Sequence, residues 1–154
     1  MLSDDVRADA FTSFVESTEL RLRHALTAAM GPEIGREATA DALAYGWEHW
    51  DRVGGLENPA GYLYRVGRNL AERMRQSSPR FAPVDQVGEA WVEPKLPSAL
   101  GKLPEKQRIV VSLVYGYGWS LSEVADVLGV SKGTVQSYVD RGLKRLRREL
   151  GVDL

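Results

Sequence analysis

The 154-residue chain contains no cysteine. That excludes disulfides, thiolate metal sites and a thiol nucleophile together, and it suits a cytoplasmic protein. Histidine is nearly missing as well. His24 and His49 are the only two, they fall in different helical segments, and neither sits in a ligand cluster, so no metal site is expected. No apolar run approaches membrane-spanning length, and the opening MLSDDVRADA is too acidic and polar for a signal peptide. Gly116-x-Gly118 lacks the third glycine of a dinucleotide loop, and neither a P-loop nor a serine elbow occurs. An enzyme is therefore not expected, and no cofactor is called for. No internal repeat or low-complexity segment is evident either.

What remains is an ordinary globular composition, 44% apolar, enough for one domain or two small helical ones. The net charge of −1 conceals an uneven distribution. Residues 1–51 carry ten acidic and four basic side chains, whereas residues 98–154 carry nine basic and six acidic ones. Such a split suits two different partners, although solvated surface charge alone accounts for it equally simply.

The most informative stretch is SLSEVADVLGVSKGTVQSYVDRGLKRLRREL, Ser120 to Leu150. Ser120 with Glu123 three residues on is a capping-box pattern, and Leu121, Val124, Ala125 and Leu128 follow at helical spacing. Gly129 supplies the left-handed stop. Ser131 then caps a second helix with an inner stripe of Val135, Tyr138, Val139, Gly142, Leu146 and Leu150. Val130 and Val135 are expected to plug the angle between the two helices, and small Ala125 to allow close approach. This is the pattern of a helix-turn-helix. Lys132, Thr134, Gln136, Ser137, Arg141, Lys144 and Arg145 point outward, all able to donate hydrogen bonds to bases or phosphates. An ordinary helical hairpin with a basic face is the competing reading.

Upstream, Phe11, Phe14 and Val15 mark one helix, and Leu22, Ala25, Leu26, Ala29 and Met30 mark the next, closed by Gly31-Pro32. A third helix is expected from Glu33 to about Arg52, stopped by Gly54-Gly55. Leu43, Trp47 and Trp50 form its core-facing stripe, and Glu37, Asp41 and Glu48 an acidic one. Gly46 within it costs about 1 kcal/mol relative to alanine, so a close contact is expected there. Asn58-Pro59 restarts a helix that runs to about Gln76, with Leu63, Val66, Leu70 and Met74 inward. Its outer face carries Tyr62, Tyr64, Arg65, Arg68, Asn69, Arg73 and Arg75. Rings among guanidinium groups suit single-stranded nucleic acid, and snorkelling arginines on a solvated helix are the alternative. Residues 77–97 hold four of the seven prolines and no helical period, which marks an extended linker. Pro104 then opens a supporting helix with Ile109, Val110, Leu113 and Val114 buried, ending near Gly116-Tyr117-Gly118.

Taken together, these residues resemble a compact sigma factor of the extracytoplasmic-function group. The segment LPEKQRIVVSLVYGYGWSLSEVADVLGVSKGTVQSYVDRGLKRLRREL is similar to that family's region 4. EATADALAYGWEHWD and NPAGYLYRVGRNLAERMRQ are similar to its region 2, so the likeness covers nearly the whole chain. The resemblance implies an all-α fold of two small helical domains, 1–76 and 98–154, joined by the linker 77–97. It also implies a role: binding core RNA polymerase, recognising promoter DNA and helping to melt it. Glu37 and Asp41, with Glu48 on the same stripe, would dock on the polymerase. Tyr62, Tyr64, Arg65, Arg68 and Asn69 would line the −10 strand, and the loop Arg52 to Gly61 would capture a flipped base. Lys132, Thr134, Gln136, Ser137, Arg141 and Lys144 would read the −35 element, with Arg145, Arg147 and Arg148 on phosphates. An anti-sigma factor is the further partner the family implies. The chain departs from the pattern at Ala38, Thr39, Ala40, Gly46, Tyr138 and Asp140. Tyr138 is expected to pack inward, and Asp140 to pair with Lys144. A dimeric helix-turn-helix regulator with an N-terminal dimerisation or sensor domain is the alternative.

Overall fold

A computed structural model describes residues 3–75 and 95–151. All the regular structure among them is helical.

Helix α1 (Asp4–Met30) starts at Ser3, whose hydroxyl accepts from the Val6 N–H, with Asp4 and Asp5 in the first turn. Two helices were expected here and one 27-residue helix is found. Nothing between Val15 and Leu22 breaks a helix, and buried Thr18 fills the core-facing position that the apolar series skips. Phe11, Phe14, Thr18, Leu22, Ala25 and Ala29 thus make one column at spacings of three and four. Gly31, at φ 89°, ends α1 and leads directly into α2 (Pro32–Glu48), which Pro32 opens instead of merely closing its predecessor.

The expected continuous helix to Arg52 is divided. His49 leaves helical geometry (φ −117°, ψ 24°), and a single turn, α3 (Trp50–Val53), follows before Gly54. Only part of the expected tryptophan stripe is core. Trp50 is buried and Leu43 half-buried, but Trp47 is 38% exposed. Its ring lies against Phe11 and beneath the Arg7 guanidinium, 4.2 Å from the ring centre. Gly46 is explained by packing: a Cβ there would meet Leu63 Cδ1 at 3.0 Å.

Helix α4 (Pro59–Arg75) begins as expected, with the Gly61 N–H donating to Asn58 Oδ1 at 3.0 Å. Most of the expected linker, and the side chain of Met74, lie outside the described residues. The linker's last three positions do not: Lys95 precedes, and Leu96 and Pro97 open, α5 (Leu96–Gly101), because proline is tolerated in a first turn. Pro104 precedes α6 (Glu105–Val111), which runs into a π-helical turn, Ser112–Gly116. There the Tyr117 N–H reaches back five residues to the Ser112 carbonyl at 3.0 Å. Helices α7 (Leu121–Leu128) and α8 (Lys132–Leu150) complete the order.

Helix α2 packs on α1 and α4, α6 packs on α8, and α1 also meets α6. One apolar cluster runs through both halves, from Leu22, Leu26 and Leu63 to Ile109, Leu113, Val124 and Val135. A satellite of Ala99, Val111 and Leu146 lies under α5 and α8. Burial of this continuous cluster removes each half's apolar face from water at about 25 cal/mol per Å².

Candidate nucleic-acid interface

The turn before α8 is built as its residues require. Ser120 and Glu123 form the complete capping box: Ser120 Oγ accepts from the Glu123 N–H at 3.0 Å, and Glu123 Oε1 accepts from the Ser120 N–H at 2.9 Å. The backbone bond, and then the Ser120 hydroxyl, hold the Glu123 carboxyl below its ordinary pKa. Gly129 takes the left-handed conformation (φ 71°, ψ 34°) and donates to the Ala125 carbonyl. Ser131 Oγ then accepts from the Thr134 N–H at 3.0 Å and starts the second helix. Ala125 and Val135 are buried, but Val130 is 37% exposed and does not plug the angle, because the turn directs it to solvent. Val135, Val139, Gly142 and Leu146 form the buried stripe, with Tyr138 and Leu150 partly covered. A Cβ at Gly142 would meet Val111 Cγ2 at 2.6 Å, so the missing side chain lets α8 lie close on α6.

The outward face is open. Lys132, Gln136, Arg141, Lys144, Arg145, Arg147 and Arg148 are exposed, and Thr134 and Ser137 are half-exposed at the helix's leading end. Asp140 does not pair with Lys144. Gln136 Nε2 donates to Asp140 Oδ1 at 2.8 Å, a bond that takes the carboxylate in the opposite direction along the helix. Since a carboxylate only accepts, the Gln136 amide must turn its nitrogen toward Asp140.

On α4 the expected strand-facing set divides. Arg65 and Asn69 are exposed and Tyr62 half-exposed, but Tyr64 is 3% exposed and faces the C-terminal half. Burial pushes its phenol up in pKa. An i+2 separation from Tyr62 turns Tyr64 about 200° round the helix, so both cannot share one face. Arg68 forms an ion pair with Glu105 and is itself half-covered.

Sequence reasoning missed a cluster beside Tyr62. Arg52 donates to the Tyr45 hydroxyl at 2.7 Å and to the Tyr62 hydroxyl at 3.1 Å, and its guanidinium lies 5.4 Å from the Tyr62 ring centre. His49 stacks on Tyr45 with ring centres 4.1 Å apart. Hydrogen bonds from Tyr45 and then Arg52 hold the Tyr62 phenol below its usual pKa. Four planar groups thus meet at a solvent-facing corner where α2, α3 and α4 converge. Tyr45, His49 and Arg52, at i, i+4 and i+7, were the available signal. Glu37, Asp41 and Glu48 are all exposed on α2. Among the described residues no cluster of His, Cys, Asp or Glu could hold a metal ion, and no helix is long and apolar enough to cross a membrane.

Comparison with known proteins fits this geometry. Residues 99–148 match the family model "Sigma-70, region 4", a span that runs from the end of α5 through nearly all of α8. The RNA polymerase sigma-E factor of Streptomyces antibioticus is 33% identical over 129 residues, 77% of this chain and 72% of that protein. The chain belongs to the extracytoplasmic-function family of RNA polymerase sigma factors. The ECF RNA polymerase sigma factor SigL of Mycobacterium tuberculosis is 28% identical over 148 residues, 84% of each chain. Among solved structures, the sigma factor RpoE of Bartonella quintana, in complex with the anti-sigma factor NepR, superposes with a TM-score of 0.62. At 23% identity, covering 94% of this chain and 98% of that one, it supports the all-α fold of this sigma factor. Of the two regions expected from the sequence, the family model covers region 4, and the dimeric-regulator reading is not favoured.

Proposed function

We propose that this sigma factor joins core RNA polymerase and selects promoters by touching them at two places. Helix α8 enters the major groove of the −35 element with Lys132, Thr134, Gln136, Ser137, Arg141 and Lys144 toward base edges. Arg145, Arg147 and Arg148 lie against phosphates. Tyr62, Arg65, Arg68 and Asn69 of α4, with the loop from Arg52 to Gly61, take the −10 strand once it is melted. An unstacked base costs a few kcal/mol, which stacking at about 1–3 kcal/mol per base offsets. Glu37, Asp41 and Glu48 dock on the polymerase. The observation that carries this reading is the exposed, donor-bearing face of α8 behind a fully capped turn, within the residues that match region 4.

The chain performs no bond-making step of its own and works in the cytoplasm, where its polymerase is. An anti-sigma factor is its regulatory partner, a reading supported by the RpoE–NepR complex and by CnrH bound to the cytosolic domain of CnrY (TM-score 0.59, 22% identity). The chain has an N-terminal part, 1–76, and a C-terminal part that begins with α5 at Leu96 instead of at residue 98, with the linker between them.

Reconstituted transcription tests the proposal. Core polymerase with this chain is expected to start transcripts at promoters that core alone ignores. A chain that dimerises, binds a palindrome unaided and leaves core polymerase unchanged would refute it.

A further inference from the structure

The outward face of α8 is built mostly from donors. Lys132, Arg141, Lys144, Arg145, Arg147 and Arg148 carry no acceptor atom in their side chains. Such groups suit phosphates and the acceptor edges of guanine and thymine. Apart from the hydroxyls of Thr134 and Ser137, the acceptors on this face come from one pair, Gln136 and Asp140, a helical turn apart and both exposed. The Thr134 hydroxyl is already engaged in the cap, 2.8 Å from Ser131 Oγ. Asp140 itself works against phosphate binding, because its charge repels what the neighbouring lysines and arginines attract. Its effect on the surface lies instead in what it does to Gln136.

Gln136 Nε2 donates to Asp140 Oδ1 at 2.8 Å. A glutamine amide is nearly symmetric in shape but not in chemistry, since one end accepts and the other donates. Left free, it turns over and offers a base whichever end that base requires. Here the turned-over amide would set Oε1 against Oδ1, two acceptors with no proton between them. The carboxylate therefore holds the nitrogen on its own side, and a hydrogen bond to an ionised acceptor is stronger than one between neutral groups. We infer that Asp140 is a positioning residue for base reading. It fixes the Gln136 carbonyl toward the DNA, so that this pair selects a base with an exocyclic amine, adenine or cytosine, on the contacted strand. The inference rests on the assignment of α8 to the −35 element and adds the chemical class of base that one place in that element must carry.

The selection follows from what each base shows in the major groove. Adenine presents its N6 amine and cytosine its N4 amine, whereas the guanine atoms N7 and O6 and the thymine atom O4 are all acceptors. A guanine or thymine at this place meets Gln136 Oε1 acceptor to acceptor. Rotation of the amide relieves that contact only by breaking the bond to Asp140. The same bond helps in a second way. Gln136 is already held before DNA arrives, so less side-chain freedom is lost when the base is bound. An exposed acidic residue on a DNA-facing helix thus trades overall attraction for choice between bases.

Both side chains are exposed, so substitutions at either leave the fold intact. Core polymerase carrying the full chain is offered a promoter that it transcribes, with the −35 element randomised, and the bound DNA is sequenced. One position is expected to return adenine or cytosine over guanine or thymine by about tenfold. Asp140→Asn, whose amide either accepts from Gln136 or donates to it, should reduce that ratio to about twofold or less while the other positions keep theirs. Asp140→Glu keeps an acceptor within reach and should restore most of the ratio. Gln136→Lys, with donors only, should reverse it toward guanine or thymine by about tenfold. Loss of a surface charge alone would raise the recovery of every sequence alike. That result for Asp140→Asn would overturn the proposal, and so would a Gln136→Lys profile identical to the parent's. A holoenzyme that transcribes but returns no preferred base anywhere in the −35 element would reject the placement of α8 there, and the base selection with it.

Discussion

Gly35→Ala pits two opposing terms against each other. In an exposed helix interior the change gains about 1 kcal/mol, because alanine loses less backbone freedom than glycine. Gly35, however, sits where α2 turns back on α1, and a Cβ there would lie 2.7 Å from both Thr27 Cα and Thr27 N. Those atoms are main chain and have no rotamer to escape to. Ordinary contact begins near 3.4 Å, so α2 has to move outward by about 1 Å, and its other contacts with α1 and α4 loosen with it. Overpacking of this kind costs about 1–3 kcal/mol, more where backbone must shift. The clash outweighs the gain, and a net loss of about 1–2 kcal/mol is expected. That corresponds to a fall in Tm of about 2–8 °C for a chain of this length. Urea unfolding of the full chain, followed by circular dichroism, should show a lower midpoint at an unchanged slope. Gly116→Ala is the control, since a Cβ there meets nothing within 4 Å, and it should be neutral or better. A Gly35→Ala protein at least as stable as the parent would refute the close approach of the two helices.

Five other expectations follow from the same geometry. Ser120→Ala removes half of the capping box and should cost about 1 kcal/mol in urea titrations. The stability that the depressed Glu123 pKa confers should be present above the ordinary carboxylate range and fade as pH falls through the folded value. His24 has its pKa lowered by burial and by Arg23, against an opposing Glu19, with Tyr117 and Trp119 facing it from the other half. The unfolded chain therefore takes up the proton first, and stability should decline as pH falls from about 6.5 toward the lowered value; a His24→Gln profile with the same decline would contradict this. Reversing Glu37 and Asp41 to lysine should abolish co-purification with core polymerase while leaving the circular dichroism melt unchanged, because both side chains are exposed; retained co-purification would remove them from the docking face. Arg141→Ala should weaken −35 binding by about 1–3 kcal/mol in a fluorescence anisotropy titration if its contact is bidentate to a base; unaltered affinity and base preference would exclude that role.

The C-terminal half was the more legible because its signals are local. Ser120, Glu123, Gly129 and Ser131 each act on backbone groups within four residues, and all four do what their chemistry predicts. Errors arose where a residue's fate depends on something distant. Thr18 reads as a polar interruption until the helix is seen to bury it. Tyr64 reads as an outward ring until the C-terminal half arrives to cover it. Asp140 had two partners within reach on its own helix, and the order Gln136 before Asp140 prevailed over a salt bridge. Arg108 gave no warning at all: an arginine beside a run of apolar residues looks solvated, yet it is buried and donates to the Ala29 carbonyl at the end of α1.

The π-helical turn at Ser112–Gly116 carries a consequence for aim. Its wider ring admits one residue beyond an α-helical turn, which rotates the point where the α6 run ends by about 100° about its axis. Just past it, Gly118 takes a left-handed conformation (φ 74°) and the Trp119 N–H donates to the Leu113 carbonyl at 2.9 Å, so the chain folds back on the turn before α7 begins. The line on which α7 and α8 set out is thus decided in main-chain hydrogen bonding between Ser112 and Trp119, ahead of the Ser120 cap.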